Sequence, residues 1–271
     1  MTQEAHARQG RLILVPNALD LGSEAVDLRS VLPDKVLSTA ARLTHWAVED
    51  ARSTRAFLKR VSALHPLAQP LQVLQIVEMP RPPKGRPAPP GYGSARHAQP
   101  PASSTDPWKA LLSPTLAGHD LGVLSEAGLP GVADPGALLV QAAHAAGVEV
   151  LALPGPSSLV LALAASGLQG QQFAFVGYLP QDAEARARRI RELEATSRKL
   201  DQTQLLIETP YRNAAVLQAL LTHLAASTHL SISIGLTLAD GFSRTATVAA
   251  WRQHPPRLSD RMPAVFCLMG R

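Results

Sequence analysis

The sequence predicts a two-domain α/β protein, with a parallel-sheet N-terminal domain and a mixed-sheet C-terminal domain. Three observations carry this. Short aliphatic runs alternate with helical apolar periods through the first half. The connections between them are short, as right-handed crossovers between parallel strands allow. The second half closes on three strand-like runs, Leu230 to Leu236, Thr245 to Trp251 and Ala264 to Met269, without a helical pattern between them. A chain of 271 residues has room for two domains at about 100–200 residues each.

The elements follow in order. Leu12 to Val15 reads as a buried strand ended by Pro16 and Asn17. Trp46 to Val48 is a short strand running into Glu49 and Asp50, Thr54 to Val61 a helix, and Val73 to Val77 a strand. From Met79 to Pro107 the chain is rich in Pro, Gly and Ser and nearly free of large apolar residues. Such a segment buries too little surface to offset its ordering entropy, so it reads as a disordered insertion. Its basic residues Arg81, Lys84, Arg86 and Arg96 leave two readings open, a solvated insertion or a flexible arm for a nucleic-acid backbone. A helix from Trp108 to Ala117 and a strand from Leu121 to Leu124 follow. Next come a helix to Ala146, stopped by Gly147, and a strand from Val148 to Leu153. Ser157 or Ser158 is placed to cap a helix to Ser166. Phe173 to Tyr178 and Thr203 to Ile207 are strands; Asp182 to Lys199 and Tyr211 to Leu224 are helices. The expected division is a flexible N-terminus (1–10), an N-terminal domain (11–168, with the insertion at 79–107) and a C-terminal domain (169–271).

Composition narrows the function. Apolar residues make up 46% and aromatics only 4%, so the cores are aliphatic and a stacking surface for bases has few residues to draw on. The net charge of +5 permits a polyanionic partner without requiring one. One cysteine, Cys267, excludes a disulfide framework or a cysteine-based zinc site within the chain. No H-E-x-x-H pattern occurs, and no metal is expected. The polar start lacks the apolar core of a signal peptide, and no apolar run reaches the length of a membrane span. A cytoplasmic protein is the expectation.

Four segments at strand ends concentrate the polar and glycine chemistry. Ser125 to Gly136 holds three glycines with Glu126 and Asp134 at the carboxyl end of a strand, where parallel sheets bind ligands. Pro154 to Ser158 enters a helix whose first N–H groups suit an anionic oxygen. Glu49-Asp50-Ala51-Arg52 offers two acids and an arginine that activate a hydroxyl and orient a phosphate, or else cap a helix. Glu208-Thr209-Pro210-Tyr211-Arg212 follows a strand of the second half.

Taken in order, these segments resemble the tetrapyrrole methylase superfamily, and within it the ribosomal RNA small subunit methyltransferase I family. The matching motifs are Leu14-Val15-Pro16, Glu49-Asp50 with Arg52, Ser125-Glu126-Ala127-Gly128, Asp134-Pro135-Gly136 and Leu153-Pro154-Gly155-Pro156. Ser166-Gly167-Leu168, Gly177-Tyr178-Leu179-Pro180 and Glu208-Thr209 before Arg212 complete the set. Glu126 stands where that family has an aspartate, and the loop from Pro16 to Gly22 lacks its usual glycine and proline pattern.

The resemblance implies a two-domain tetrapyrrole-methylase-like fold, a homodimer, and transfer of a methyl group from S-adenosylmethionine to a ribose 2′-hydroxyl of RNA. By position it implies that Pro16, Ser125, Glu126, Ala127, Gly128, Val132, Ala133 and Asp134 bind the cofactor. Pro154, Gly155, Pro156, Ser157 and Ser158 join them, with Glu208, Thr209, Leu236, Thr237 and Leu238 approaching from the second domain. Glu49 and Asp50 are the candidate bases and Arg52 the anchor for an anionic substrate. Two alternatives are a methyltransferase for a small, tetrapyrrole-like molecule, which a deep apolar cleft without a basic rim favours, and a non-catalytic cofactor-binding interaction module. Cofactor binding without turnover marks the last.

Overall fold

A computed structural model describes residues 9–20, 26–80 and 106–271. The described residues fall into two compact units, the first ending at Pro156 and the second running from Ser157 to Arg271.

The first unit contains β1 (Leu12–Leu14), α1 (Asp34–Arg42), β2 (His45–Val48), α2 (Ala51–Ser62) and β3 (Gln75–Glu78). It continues with α3 (Pro107–Leu111), α4 (Ser113–Leu116), β4 (Leu121–Leu124), α5 (Ala137–Ala145) and β5 (Val150–Ala152). The strands form one sheet in the order β3-β2-β4-β1-β5, and every pairing is parallel. All the carboxyl ends therefore share one edge. Strands alternate their side chains between two cores. Ile13, Trp46 and Val48 face Leu37, Phe57 and Leu58 of α1 and α2. Leu12, Ala47 and Val123 face Leu112 and Leu139. Burial on both sides explains why β1 and β4 are continuous apolar runs, whereas the edge strand β3 is mostly exposed.

The second unit contains α6 (Ser158–Ser166), β6 (Phe173–Phe175), α7 (Ala183–Leu200), β7 (Thr203–Glu208) and α8 (Asn213–His223). It ends with β8 (His229–Ile234), β9 (Phe242–Thr247), α9 (Val248–Gln253) and β10 (Ala264–Met269). Its sheet runs β6-β7-β10-β8-β9. β6 and β7 are parallel and the other neighbours antiparallel, so the sheet is mixed. α7, α8 and α9 cover one face through Ile190, Leu220 and Trp251. α6 packs Leu159, Ala162 and Leu163 against Leu205, Val265 and Cys267 on the other.

Several sequence expectations are corrected. The division falls between Pro156 and Ser157 rather than at 168/169, because α6 packs on the second sheet. α1 was not anticipated, although Val36, Leu37, Ala40 and Ala41 recur at helical spacing on its buried face. The run from Thr245 to Trp251 is not one strand. β9 stops at Thr247, whose hydroxyl accepts the Ala250 N–H at 3.2 Å, and Val248 and Trp251 are buried one turn apart on α9. The helix from Trp108 breaks at Leu112 into α3 and α4, with Pro114 in the first turn of the second piece.

Of the expected flexible N-terminus, residues 1–8 lie outside the described residues, while Gly10 is buried and donates its N–H to the Thr115 carbonyl at 2.9 Å. Most of the insertion (81–105), including Arg81, Lys84, Arg86 and Arg96, also lies outside them. Its flanks are ordered. Met79 is buried with its N–H on the Val48 carbonyl at 2.7 Å, and Asp106 caps α3 by accepting the Trp108 N–H at 3.0 Å.

Candidate functional site

Three strand ends meet at the carboxyl edge of the first sheet. Asn17, just past β1, forms an isolated antiparallel bridge with Gly128. The Asn17 N–H donates to the Gly128 carbonyl at 2.9 Å, and the Gly128 N–H returns to the Asn17 carbonyl at 3.2 Å. The Asn17 amide donates to the carbonyls of Ser125 (3.1 Å) and Glu126 (2.9 Å). Gly128 has φ +68°, a conformation glycine adopts without steric cost. The third strand end closes in through Gly155, where a Cβ would lie 2.2 Å from the Cβ of Pro16. The lack of a side chain at Gly155 thus lets the loop after β5 cross the loop after β1. Ser125, just past β4, is 2% exposed, with a buried hydroxyl that has no hydrogen-bond partner.

Carboxylates gather at the same edge. Glu49, one residue past β2, accepts the Glu126 N–H on Oε2 at 3.0 Å. Burial first, and then the charges of Glu49 and Glu126, push the Asp134 carboxyl up from 3.8 to about 7. Three acids from two strand ends therefore share one electrostatic neighbourhood. The segment between Glu126 and Asp134 is tightly folded. The Gly131 N–H donates to the Pro135 carbonyl at 3.1 Å and the Val132 N–H to Leu129 at 3.2 Å. Ala133 takes φ +66°, a left-handed conformation costing a non-glycine residue about 1 kcal/mol or more. Val132 is exposed and Ala127 half-buried.

The remaining residues sort differently. Asp50 is the N-cap of α2, accepting the Ser53 N–H at 2.7 Å, which gives it a structural duty apart from any role as base. Arg52 is exposed on the first turn of α2. Pro154 is exposed and Pro156 half-buried in the loop after β5. Ser157 occupies the N-cap of α6 but makes no side-chain capping bond, so the hydroxyl cap expected of Ser157 or Ser158 is not formed.

In the second unit, Glu208 is fully buried. Its Oε1 accepts the Thr209 N–H (2.8 Å) and hydroxyl (3.1 Å), and its Oε2 lies 3.4 Å from Arg212. Glu208 thus fixes its own turn. Leu236, Thr237 and Leu238 form a half-buried turn closed by the Leu238 N–H on the Gly235 carbonyl at 2.8 Å.

Sequence reasoning missed two supports. Asn17 reads only as a strand-ending residue until its amide is seen holding the Ser125 loop. Arg60, near the end of α2, binds the buried Asp20 at 2.7 Å and the Val26 carbonyl at 2.9 Å. It therefore ties down both flanks of residues 21–25, and no local pattern announces a contact 40 residues apart. Among the described residues, no group of three or more potential metal ligands occurs, and no helix is long and apolar enough to cross a membrane. Cys267 is buried, and burial pushes its thiol up to about 12, leaving it an inert core residue.

Comparison with known proteins decides the family. Residues 92–249 match the family described as Tetrapyrrole (Corrin/Porphyrin) Methylases. The chain belongs to the tetrapyrrole methylase family. Among solved structures, its fold is similar to that of the methyltransferase CobJ, with a TM-score of 0.55 and 16% identity over 96% of this chain and 94% of the other. A conserved hypothetical protein from Aeropyrum pernix K1 gives 0.56 and 16% over 97% and 85%.

Curated relatives are nearer in sequence. The Ribosomal RNA small subunit methyltransferase I of Xylella fastidiosa is 40% identical over 112 residues, covering 41% of this chain and 40% of its own length. The protein of that name from Vibrio cholerae serotype O1 is 36% identical over 129 residues (48% and 43%). The one from Mesorhizobium japonicum is 35% identical over 144 residues (53% and 48%). The match spans less than half the length of each of these relatives.

In this methylase-family chain the strand-end residues suit a ligand that carries positive charge. Burial first, and then the charges of Glu49 and Glu126, favour a proton on Asp134. A cation placed among them offsets those charges. The buried Ser125 hydroxyl, without a partner, is a donor and acceptor available to the same ligand.

Proposed function

We propose that this chain binds S-adenosylmethionine and directs its methyl group onto RNA, at a ribose 2′-hydroxyl of small-subunit ribosomal RNA. The observation that carries the reading is the run of curated relatives named Ribosomal RNA small subunit methyltransferase I, at 34–40% identity. The carboxylates at the strand ends support the cofactor.

When bound, S-adenosylmethionine supplies a methyl group on a positively charged sulfur, a carbon that needs no further activation. The chain's own residues then bind and orient. Glu126 and Asp134 balance the positive charge from the loop after β4. The Asn17–Gly128 bridge holds that loop, and the close crossing of Pro16 and Gly155 fixes the loop after β5 beside it. Pro154, Gly155 and Pro156 offer rigid backbone, and the first turn of α6 after Ser157, with no side-chain cap, offers N–H groups to a carboxylate.

A ribose hydroxyl is a weak nucleophile and gains from a positioned base. Glu49, held by the Glu126 N–H, takes that proton, while Asp50 serves as a helix cap. Arg52 steadies a phosphate of the substrate. The working form is a homodimer in the cytoplasm, where ribosomal RNA is available. The test is transfer of labelled methyl from S-adenosylmethionine to small-subunit ribosomal RNA by the purified protein. Label on the 2′-oxygen of one nucleotide supports the reading. Label on a tetrapyrrole and none on RNA replaces it with the small-molecule alternative.

A further inference from the structure

We propose that Tyr178 and Tyr211 form a stacking platform for a single-stranded segment of the RNA, with exposed arginines of α7 holding its phosphates. The proposal rests on RNA as the substrate class and adds the surface that receives it. With aromatics at only 4% of the chain, the large rings belong in the cores, and Trp46, Trp251, Phe57 and Phe266 are there. Yet Tyr178 is 52% and Tyr211 76% exposed. Among the described residues, the exposed Phe and Tyr side chains all lie between Phe173 and Tyr178 or at Tyr211.

The two tyrosines stand on segments stitched together. The Ile207 N–H donates to the Gly177 carbonyl at 3.1 Å. The Arg212 guanidinium donates to the carbonyls of Leu179 (3.0 Å) and Pro180 (3.2 Å). Arg212 is itself steadied by the buried Glu208 at 3.4 Å. Arg186, one turn into α7, donates to the Pro180 carbonyl at 3.3 Å and the Gln181 carbonyl at 2.8 Å. The loop after β6 and the turn after β7 therefore make one braced rim with an exposed ring on each part. The helix that leaves this rim is basic, with Arg188 and Arg191 exposed. Asp182 is occupied as its N-cap, Glu184 stands in its first turn, and Glu192 pairs with Arg189 at 3.5 Å. Rings on a rigid support beside arginines are what an unpaired strand requires: a ring face accepts any base, and guanidinium groups accept the backbone. A tyrosine also keeps its hydroxyl in water while its ring is covered.

The test is fluorescence anisotropy of the full chain with a labelled single-stranded RNA oligonucleotide, beside calorimetric titration with S-adenosylmethionine. Tyr178→Ala and Tyr211→Ala each weaken RNA binding about five- to a hundredfold, while Tyr178→Phe and Tyr211→Phe restore it. Arg188→Ala with Arg191→Ala lowers the slope of log affinity against log salt by about 0.7 per arginine. Cofactor affinity is unchanged in all of them. RNA affinity unaltered by the alanine variants overturns the proposal, as does cofactor binding by a wild-type protein that shows no affinity for RNA. A change of oligomeric state on size exclusion with RNA binding intact also overturns it and assigns the rings to a second copy of the chain. Tyrosine-dependent RNA binding without methyl transfer leaves the platform standing and removes the catalytic reading alone.

Discussion

Asp134 is in the least comfortable position among the residues of the strand-end cluster. Its carboxyl is pushed up to about 7 by burial and by Glu49 and Glu126, so the native chain holds a proton between about pH 4 and 7 that the unfolded chain has already lost. Stability contributed at this site therefore falls as pH rises through that window. A shift of this size caps the effect at about 4 kcal/mol, and partial solvent access reduces it to about 1–2 kcal/mol. Asp134→Asn is accordingly expected to melt higher than wild type at pH 8 while binding S-adenosylmethionine more weakly. Thermal melts and titration calorimetry on the same sample check both. The neighbouring Asp50 is separable by an equally small change. Asn caps helices about as well as Asp, so Asp50→Asn keeps both the fold and the methyl-transfer rate to within a few-fold. A loss of turnover without loss of melting temperature would return Asp50 to the role of base. The division between these acids was only half legible. The sequence shows that Glu49, Asp50, Glu126 and Asp134 follow strands, but which is a cap and which is crowded depends on contacts across the sheet edge.

At the scale of elements, the site is a matter of loops held by other loops. Gly155→Ala would drive a methyl group onto Pro16. A cost of about 1–3 kcal/mol is expected, together with weaker cofactor binding, because the loop after β1 has nowhere to retreat. Chemical denaturation and calorimetry read the two effects. Arg60→Ala acts from further away. It leaves the buried Asp20 without its guanidinium partner at 2.7 Å, and losing one member of such a pair costs about 3–5 kcal/mol. A loss of unfolding free energy well below that range, from urea denaturation, would show the pair to be dispensable. β1 and β4 were legible because they are buried apolar runs. α1 and α9 were not. α1 buries Thr39, Ala40 and Ala41 beside Val36 and Leu37, and α9 begins with Val248, whose β-branch prolongs the strand-like pattern past Thr247, where the cap turns the chain.

The whole molecule carries a pH signature far from the carboxylates. His45, at the amino end of β2, stacks on His119 with ring centroids 4.9 Å apart. Burial first, and then the charge of His119, lowers the His45 value from 6.5. The unfolded chain takes up that proton first, so stability falls as pH drops below about 6.5. His45→Gln is expected to flatten the decline in urea midpoint between pH 7.5 and 5.5; an identical decline in the variant would clear the pair. At this scale the two-domain α/β architecture, one parallel and one mixed sheet, was written in the rhythm of the apolar runs. The division at Pro156 was not, because α6 is apolar enough to suit either sheet and only packing assigns it to the second.

Calorimetric titration of the purified chain with S-adenosylmethionine at pH 6 and pH 8 asks whether the strand-end carboxylates receive the cation of the cofactor. A cationic ligand among Glu49, Glu126 and Asp134 favours the ionised carboxyl. Micromolar binding is therefore expected, tighter at pH 8, with protons released on binding at pH 6. No heat of binding at either pH from a protein that melts cooperatively would contradict it.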